Sequence, residues 1–271
     1  MKKISLILPF LKILFTKPSV IMKALFHATI NYNREQDVKK KYGISTLPQV
    51  DLLDLFPAFN VTVEPFTHLY GTSLPIDMGV LKLLAQKFTD CDYLEIGTWR
   101  GESMANLAAV CRHCVSVSLS DDGLRQIGFS EKHVQVQRFF SHDLKNVEHI
   151  EADSRSFNFG SLGKKFDLIF VDGDHSYEGV KNDSEKMMGL LKDEHSIIVW
   201  HDYVAQYELV DYEVLSGILD GVPREQHKHL YHISNTLFCV YMKGDFKTRA
   251  LDFPTMPDKK FRITIEGKPL R

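Results

Sequence analysis

Cysteine is scarce in this chain: Cys91, Cys111, Cys114 and Cys239 are the only four in 271 residues. That is too few for a disulfide scaffold, and it fits a reducing compartment such as the cytoplasm. Neither sign of charge is in excess. The 33 Lys and Arg against 35 Asp and Glu leave a net −2, so nothing points to a nucleic-acid partner. Repeats and low-complexity tracts are missing, and 44% hydrophobic with 25% charged residues is an ordinary globular balance. A chain of this length buries most of its apolar surface without covalent staples.

Acid is wholly missing from residues 1–34, which carry Lys2, Lys3, Lys12, Lys17, Lys23 and Arg34. That segment is +6 and the rest of the chain −8. Its apolar stretches (Ile4 to Leu11, Ile13 to Phe15, Val20 to Ile21, Leu25 to Phe26) are cut by lysines, far short of the ~20 residues of a membrane span. The early Lys12 and the lack of an A-x-A site also argue against a signal peptide. Two readings stay open. One is a basic amphipathic segment on an anionic membrane surface. The other is a pair of helices packing on the body or on a second subunit, as a homo-oligomer contact. Pro9 and Pro18 should break or kink any helix there.

Residues 35–92 hold Pro48, Pro57, Pro65 and Pro75 and read as a loop-rich approach with short helices. Ile76 to Phe88 has helical spacing. Then strands and helices alternate. Asp92–Gly97, Cys114–Leu119, Val147–Ala152, Phe166–Val171 and Ser196–Trp200 read as strands. Glu102–Val110, Glu131–Phe140, Tyr177–Leu191 and Glu208–Leu219 read as helices. The mostly apolar Phe166–Val171 suits a strand buried on both faces of a parallel sheet. His229–Ile233 and Thr236–Met242, flanking Ser234-Asn235, read as an antiparallel hairpin. The pattern predicts a doubly wound α/β sheet closed by an antiparallel pair. It divides the chain into a basic extension over 1–75, an α/β domain over 76–243 and a tail over 244–271.

In such a sheet ligands bind beyond the carboxyl ends of the strands. After the first strand comes Glu95-Ile96-Gly97-Thr98-Trp99-Arg100-Gly101-Glu102-Ser103. The two glycines allow a tight turn and a close backbone approach, but the spacing is neither G-x-G-x-x-G nor a P-loop. Glu95 and Glu102 suit a ligand with cationic groups better than a pyrophosphate. After the fourth strand, Asp172-Gly173-Asp174-His175 crowds two carboxylates and an imidazole together. That suits a hard cation such as Mg²⁺, or else Asp174 or Ser176 simply caps the next helix. After the fifth strand, His201-Asp202-Tyr203 repeats the pairing, one strand–helix–strand crossover from Asp172.

The stretches YLEIGTWRGES, IEADSRSF, FDLIFVDGDHSYEGVKND and IIVWHDY together resemble class I S-adenosyl-L-methionine (SAM)-dependent methyltransferases. Within them the chain is most similar to the macrocin-type sugar O-methyltransferases and cephalosporin-hydroxylase-like proteins. The resemblance implies a Rossmann-like sheet of seven strands with an antiparallel last strand. It implies that Glu95, Gly97, Thr98, Gly101 and Ser103 line the SAM site, with Asp153 and Ser154 on the adenine side. Asp172, His201 and Asp202 take the positions that hold Mg²⁺ in metal-dependent relatives. Asp174 matches a proposed base, with His175 a second candidate. Two departures stand out. Leu119 occupies the usual ribose-binding acidic position, so Asp121 would have to serve. His201 replaces the usual acid of the metal pair, which favours a softer ion or none. The implied reaction is methyl transfer to a hydroxyl of a small, sugar-like acceptor.

Asp172-Gly173-Asp174 also fits the D-x-D metal motif of nucleotide-sugar glycosyltransferases, and a non-catalytic SAM-fold binding protein is a further alternative. Cys111-Arg112-His113-Cys114 has no second ligand pair and reads as structural. His227, His229 and His232 read as surface or core residues. Trp99 could stack on a ligand or pack, and Tyr203, Tyr207 and Tyr212 could line an acceptor pocket or pack.

Overall fold

The computed structural model describes residues 13–206 and 208–270. Its centre is a parallel run of five strands: β2 (Asp92–Ile96), β3 (His113–Ser118), β4 (Val147–Glu151), β5 (Leu168–Val171) and β6 (Ile197–Trp200). Beyond β6 lies the antiparallel β10 (Cys239–Tyr241), then β9 (Leu230–Ile233), joined by a turn in which Asn235 takes a positive φ. These seven strands, ordered β9-β10-β6-β5-β2-β3-β4, are the expected doubly wound sheet with its antiparallel strand. The sheet is wider than seven strands. β1 (Gln49–Val50) pairs parallel with β9, and β11 (Thr248–Arg249) pairs antiparallel with β1, making nine. Two-residue strands carry too little periodicity to read from sequence.

Side-chain alternation builds the two layers. Leu94, Ile96, Ile169, Val171, Ile198 and Trp200 face one side. There the helices Tyr177–Met188 and Tyr212–Gly221 bring Val180, Met187, Leu215 and Ile218 onto them. Tyr93, Leu168, Phe170, Ile197 and Val199 face the other, against Val80, Leu81 and Leu84 of helix Pro75–Ala85 and Met104 and Leu107 of helix Glu102–Ala108. Each such buried side chain contributes about 1.5–3 kcal/mol of apolar transfer energy.

The N-terminal reading needs correction where the structure describes it. One helix runs from Pro18 to Tyr42, through residues expected to be loop; the helical run is interrupted at Pro18 as expected, since residues 13–16 are helical, Lys17 is not, and Pro18 takes the first position of the helix that follows. The calls on residues 1–12, Pro9 among them, lie outside the described residues. Two other helices are shorter than expected: Glu131–Gln135 ends before Phe140, and Leu209–Val210 is a strand (β8) paired with β7 (Val204–Gln206) ahead of helix Tyr212–Gly221. No described helix is long and apolar enough to cross a membrane.

Candidate active site

Strand register brings the site together. Ile96 is level with Val117 on one side and Val171 on the other, and Val171 is level with Trp200. Parallel strands that end flush put their next residues on one rim, so Gly97, Asp172 and His201 stand side by side. The backbones touch: Asp172 N–H donates to Ile96 O at 2.9 Å, and His201 N–H to Val171 O at 3.0 Å. Gly97 has φ +92°, and a Cβ there would lie 2.2 Å from the Asp172 carbonyl oxygen. Only glycine lets the two turns pass this closely.

The loop after β2 is ordered from beneath by Glu95, which is 1% exposed. Its carboxylate accepts from Thr98 Oγ1 (2.6 Å), Tyr93 OH (2.7 Å) and Ser103 Oγ (3.0 Å). Burial pushes its pKa up to about 7 despite those donors. Ser116 Oγ extends the network by donating to Thr98 Oγ1 at 2.8 Å. Gly101, at φ +84°, is the N-cap of helix Glu102–Ala108, and a Cβ there would strike Ser141 Oγ at 2.4 Å. Thus Glu95, Gly97, Thr98, Gly101 and Ser103 form one unit. Trp99 lies flat on His133, ring centroids 4.4 Å apart, with the Arg100 guanidinium 4.2 Å from its ring.

Asp121 and Asp153 stand farther along the rim. Asp121 opens helix Asp121–Gln126 and meets Arg138 at 3.4 Å; it is half exposed and borders a groove of about 450 Å³ shared with Arg138, His142 and His149. Asp153 accepts from Arg155 N–H at 2.9 Å, and the Ser154 carbonyl accepts from Lys186 Nζ at 2.5 Å.

Three side chains meet beyond β5 and β6. His175 Nε2 is 3.2 Å from Asp172 Oδ1, and its Nδ1 is 3.0 Å from Asp202 Oδ2. His201 lies beneath them, 8% exposed, with Nδ1 3.2 Å from Asp172 and 3.1 Å from Asp202. Its Nε2 is 3.5 Å from Asp77, which sits fully buried on helix Pro75–Ala85. Two carboxylates around His175 and three around His201 hold the proton on each imidazole. His175 is raised to about 10 against the pull of burial, and His201 is raised well above its usual value. Asp172 and Asp202 are correspondingly held below the usual carboxylate range by these imidazoliums, although burial opposes the shift. Asp202 has a positive φ of 54°, a conformation that turns its carboxylate back to the rim.

Among the described residues, the one set of three with ligand atoms close enough for a metal ion is Asp172, His175 and Asp202, all within 4.8 Å of one another. His201 lies behind that set. The set fits a divalent cation by chemistry: two carboxylate oxygens and one imidazole nitrogen, provided that His175 gives up its proton as the cation takes its place between the carboxylates. Asp174 points elsewhere. It pairs with Arg155 and accepts Ser176 N–H at 2.9 Å, while Ser176 caps helix Tyr177–Met188 through Gly179 N–H. The capping expected of Asp174 or Ser176 is thus observed at this turn, beside the Asp172, His175 and Asp202 cluster.

Sequence reasoning missed Asp77 and Arg155. Asp77 read as an ordinary first-turn acid of a helix, and nothing local marks its approach to His201. Arg155 follows the singled-out Asp153-Ser154 and carried no motif. The remaining candidates pack. Cys91, Cys111 and Cys114 are free thiols buried in the core, and Tyr203 is buried, its hydroxyl accepting Leu47 N–H at 2.9 Å. Tyr212 faces the N-terminal helix through Glu35 at 3.4 Å. Tyr207 lies outside the described residues. His227 and His232 each bond a main-chain carbonyl, Val222 and Phe238, at 2.9 Å.

The family described as "Methyltransferase domain" matches residues 94–203, the span from β2 through the Asp202 turn. Those residues, two fifths of the chain, are similar to that methyltransferase domain. The match lends no support to the glycosyltransferase alternative for Asp172-Gly173-Asp174. A curated relative, an uncharacterised protein of Acanthamoeba polyphaga mimivirus, is 29% identical over 122 residues, 43% of this chain. That alignment spans 54% of the relative, about half its length. Among solved structures the chain is similar to an O-methyltransferase of Bacillus cereus bound to S-adenosylhomocysteine (SAH). The identity is 18%, over 70% of this chain and 86% of that one, at a TM-score of 0.40. It is also similar to a SAM-bound amino pentose methyltransferase of Micromonospora echinaspora, at 14% identity over 46% and 48% of the two chains and a TM-score of 0.33.

Proposed function

We propose that the chain transfers a methyl group from SAM to a hydroxyl of a small, polyhydroxylated, sugar-like acceptor. The observation that carries this reading is the contact of the Gly97 turn with the Asp172 turn, beside Asp202 and His175. A cationic donor held by the first turn would have its reactive carbon next to ionised carboxylates. Glu95, Gly97, Thr98, Gly101 and Ser103 would hold the methionine end of SAM, Asp121 the ribose, and Asp153 and Ser154 the adenine. We assign the catalytic unit to 76–243, with 1–75 and 244–271 flanking it. Four free, buried thiols support a reducing, cytoplasmic setting.

SAM supplies the electrophilic methyl group. The protein aligns the hydroxyl oxygen with it and excludes water. As the new C–O bond forms, the oxygen gains positive charge and its proton becomes strongly acidic. A carboxylate of low basicity then suffices as acceptor, so Asp172 or Asp202 takes the proton. Asp174 and His175 are poorer acceptors in this arrangement, the first tied to Arg155 and the second already protonated. Asp172, His175 and Asp202 would hold a divalent cation such as Mg²⁺, which would lower the hydroxyl pKa. His201, braced by Asp77, orients both carboxylates.

The test is transfer from labelled SAM to a panel of sugars and nucleotide sugars. Asp172→Ala should lower transfer about a thousandfold while leaving SAH binding within a few fold. Chelation should match that loss if a metal takes part. Transfer that survives Asp172→Ala at full rate, with SAH still bound, removes this site from the chemistry.

A further inference from the structure

The helix Pro18–Tyr42 is anchored along its C-terminal half. Asn31 Oδ1 accepts Tyr212 N–H at 2.8 Å, and the Arg34 guanidinium lies 3.8 Å from the centre of the Tyr177 ring. Tyr212 OH reaches Glu35 at 3.4 Å, and Tyr42 OH donates to Leu219 O at 3.1 Å. Residue 31 thus meets the first residue of helix Tyr212–Gly221, and residue 42 meets its last turn. The two helices run parallel. Tyr177 and Tyr212 begin helices that lead away from the carboxyl rim of the sheet, so residues 31–34 are level with that rim. At 1.5 Å per residue, residues 18–30 carry the helix roughly 20 Å beyond it.

This overhang presents large apolar side chains to solvent: Phe15 is 81% exposed, Met22 62% and Leu25 57%. Met22, Leu25 and Phe26, at i, i+3 and i+4, put this exposed apolar surface on one face of the helix. Over residues 1–34 the chain carries six cations and no acid. Apolar side chains that sink while lysine stems reach up to phosphates are what a headgroup boundary accommodates. We propose that residues 13–30 are an arm that docks the protein on an anionic lipid bilayer. The bilayer would then face the rim that carries Asp172 and Asp202, so the acceptor would arrive from the membrane side; this last consequence rests on the site reading above.

The test uses the full chain with vesicles of phosphatidylcholine alone, or of phosphatidylcholine with phosphatidylglycerol, by co-sedimentation at low and high salt. The anionic vesicles should bind the protein and release it at high salt, with neutral vesicles binding far less. Lys17→Ala with Lys23→Ala should weaken binding about thirtyfold, at the usual contribution of each basic residue. Phe15→Ser with Leu25→Ser should weaken it at constant charge. SAH affinity, measured by calorimetry, should not move in either variant, which shows that they are folded and separates this proposal from the catalytic one. Equal binding to both vesicle types, or no binding, overturns it. So does a dimer, seen by ultracentrifugation, that these substitutions dissolve while vesicles stay unbound; the arm would then be an interface between copies of the chain.

Discussion

Gly97 and Gly128 share a backbone conformation, φ +92° and +94°, but not an environment. An alanine Cβ at 97 would meet the Asp172 carbonyl at 2.2 Å and Gly173 Cα at 2.5 Å, both backbone atoms; at 128 it would meet nothing within 4 Å. Gly128→Ala should therefore pay the left-handed penalty alone, about 1–2 kcal/mol. Gly97→Ala should lose at least about 2 kcal/mol more, because two turns must separate. Urea denaturation of both variants checks this, and equal losses would mean that the contact between the turns is unimportant. SAH affinity should fall with Gly97→Ala and hold with Gly128→Ala. Gly97, Asp172 and Asp202 were legible in sequence because each lies within two residues of the end of a buried strand, and flush parallel strands bring such residues together. The depth of His201 and the Asp77 behind it were not. Both depend on a helix crossing the far face of the sheet, a contact with no local trace.

The anchored half of helix Pro18–Tyr42 hangs on one carboxylate. Asp220 pairs with Lys41 and accepts from Tyr42 OH and, at 2.8 Å, from Tyr177 OH, so three elements share it. Asp220→Ala leaves Tyr177 OH without that acceptor and should cost about 1–2 kcal/mol. The loss should be local: amides of residues 31–42 should exchange faster, while β2 and β5 stay protected. Uniformly faster exchange would mean that the helix is part of the cooperative core. Buried parallel strands were easy to read because their apolar runs are short and bounded. This helix was not, since Arg34 to Tyr42 (REQDVKKKY) offers a single buried apolar residue, Val38, and looks like loop. Charge in its last turn, Lys39 to Lys41, is a C-terminal signal that could have marked its end.

Two buried titratable groups set opposite pH dependences on the folded protein. Glu95 is raised to about 7 by burial, so the native state holds its proton between the ordinary glutamate value and 7. Stability from this group is fullest below that window and declines as pH rises through it. His232, fully buried with one ring nitrogen on the Phe238 carbonyl, is lowered to about 4 by burial. There the unfolded chain binds the extra proton, so stability declines as pH falls from the ordinary histidine value through 4. Each shift of roughly 2.5 units corresponds to about 3 kcal/mol. The windows overlap, and the two slopes largely cancel. Single substitutions should expose them. Relative to the parent, Glu95→Gln should gain stability as pH rises from about 4.5 to about 7, because it removes the cost of a buried carboxylate. His232→Asn should gain as pH falls from about 6.5 to about 4, by removing the cost of a buried imidazolium. Taking differences from the parent at each pH cancels every other titrating group, so urea midpoints across that range suffice. Flat difference curves would mean that water reaches both groups in the folded protein. A sloped Glu95→Gln curve joined to a loss of SAH affinity would tie the buried acid to the ligand: the carboxylate is kept in the core at a cost in stability because a cationic donor needs it there.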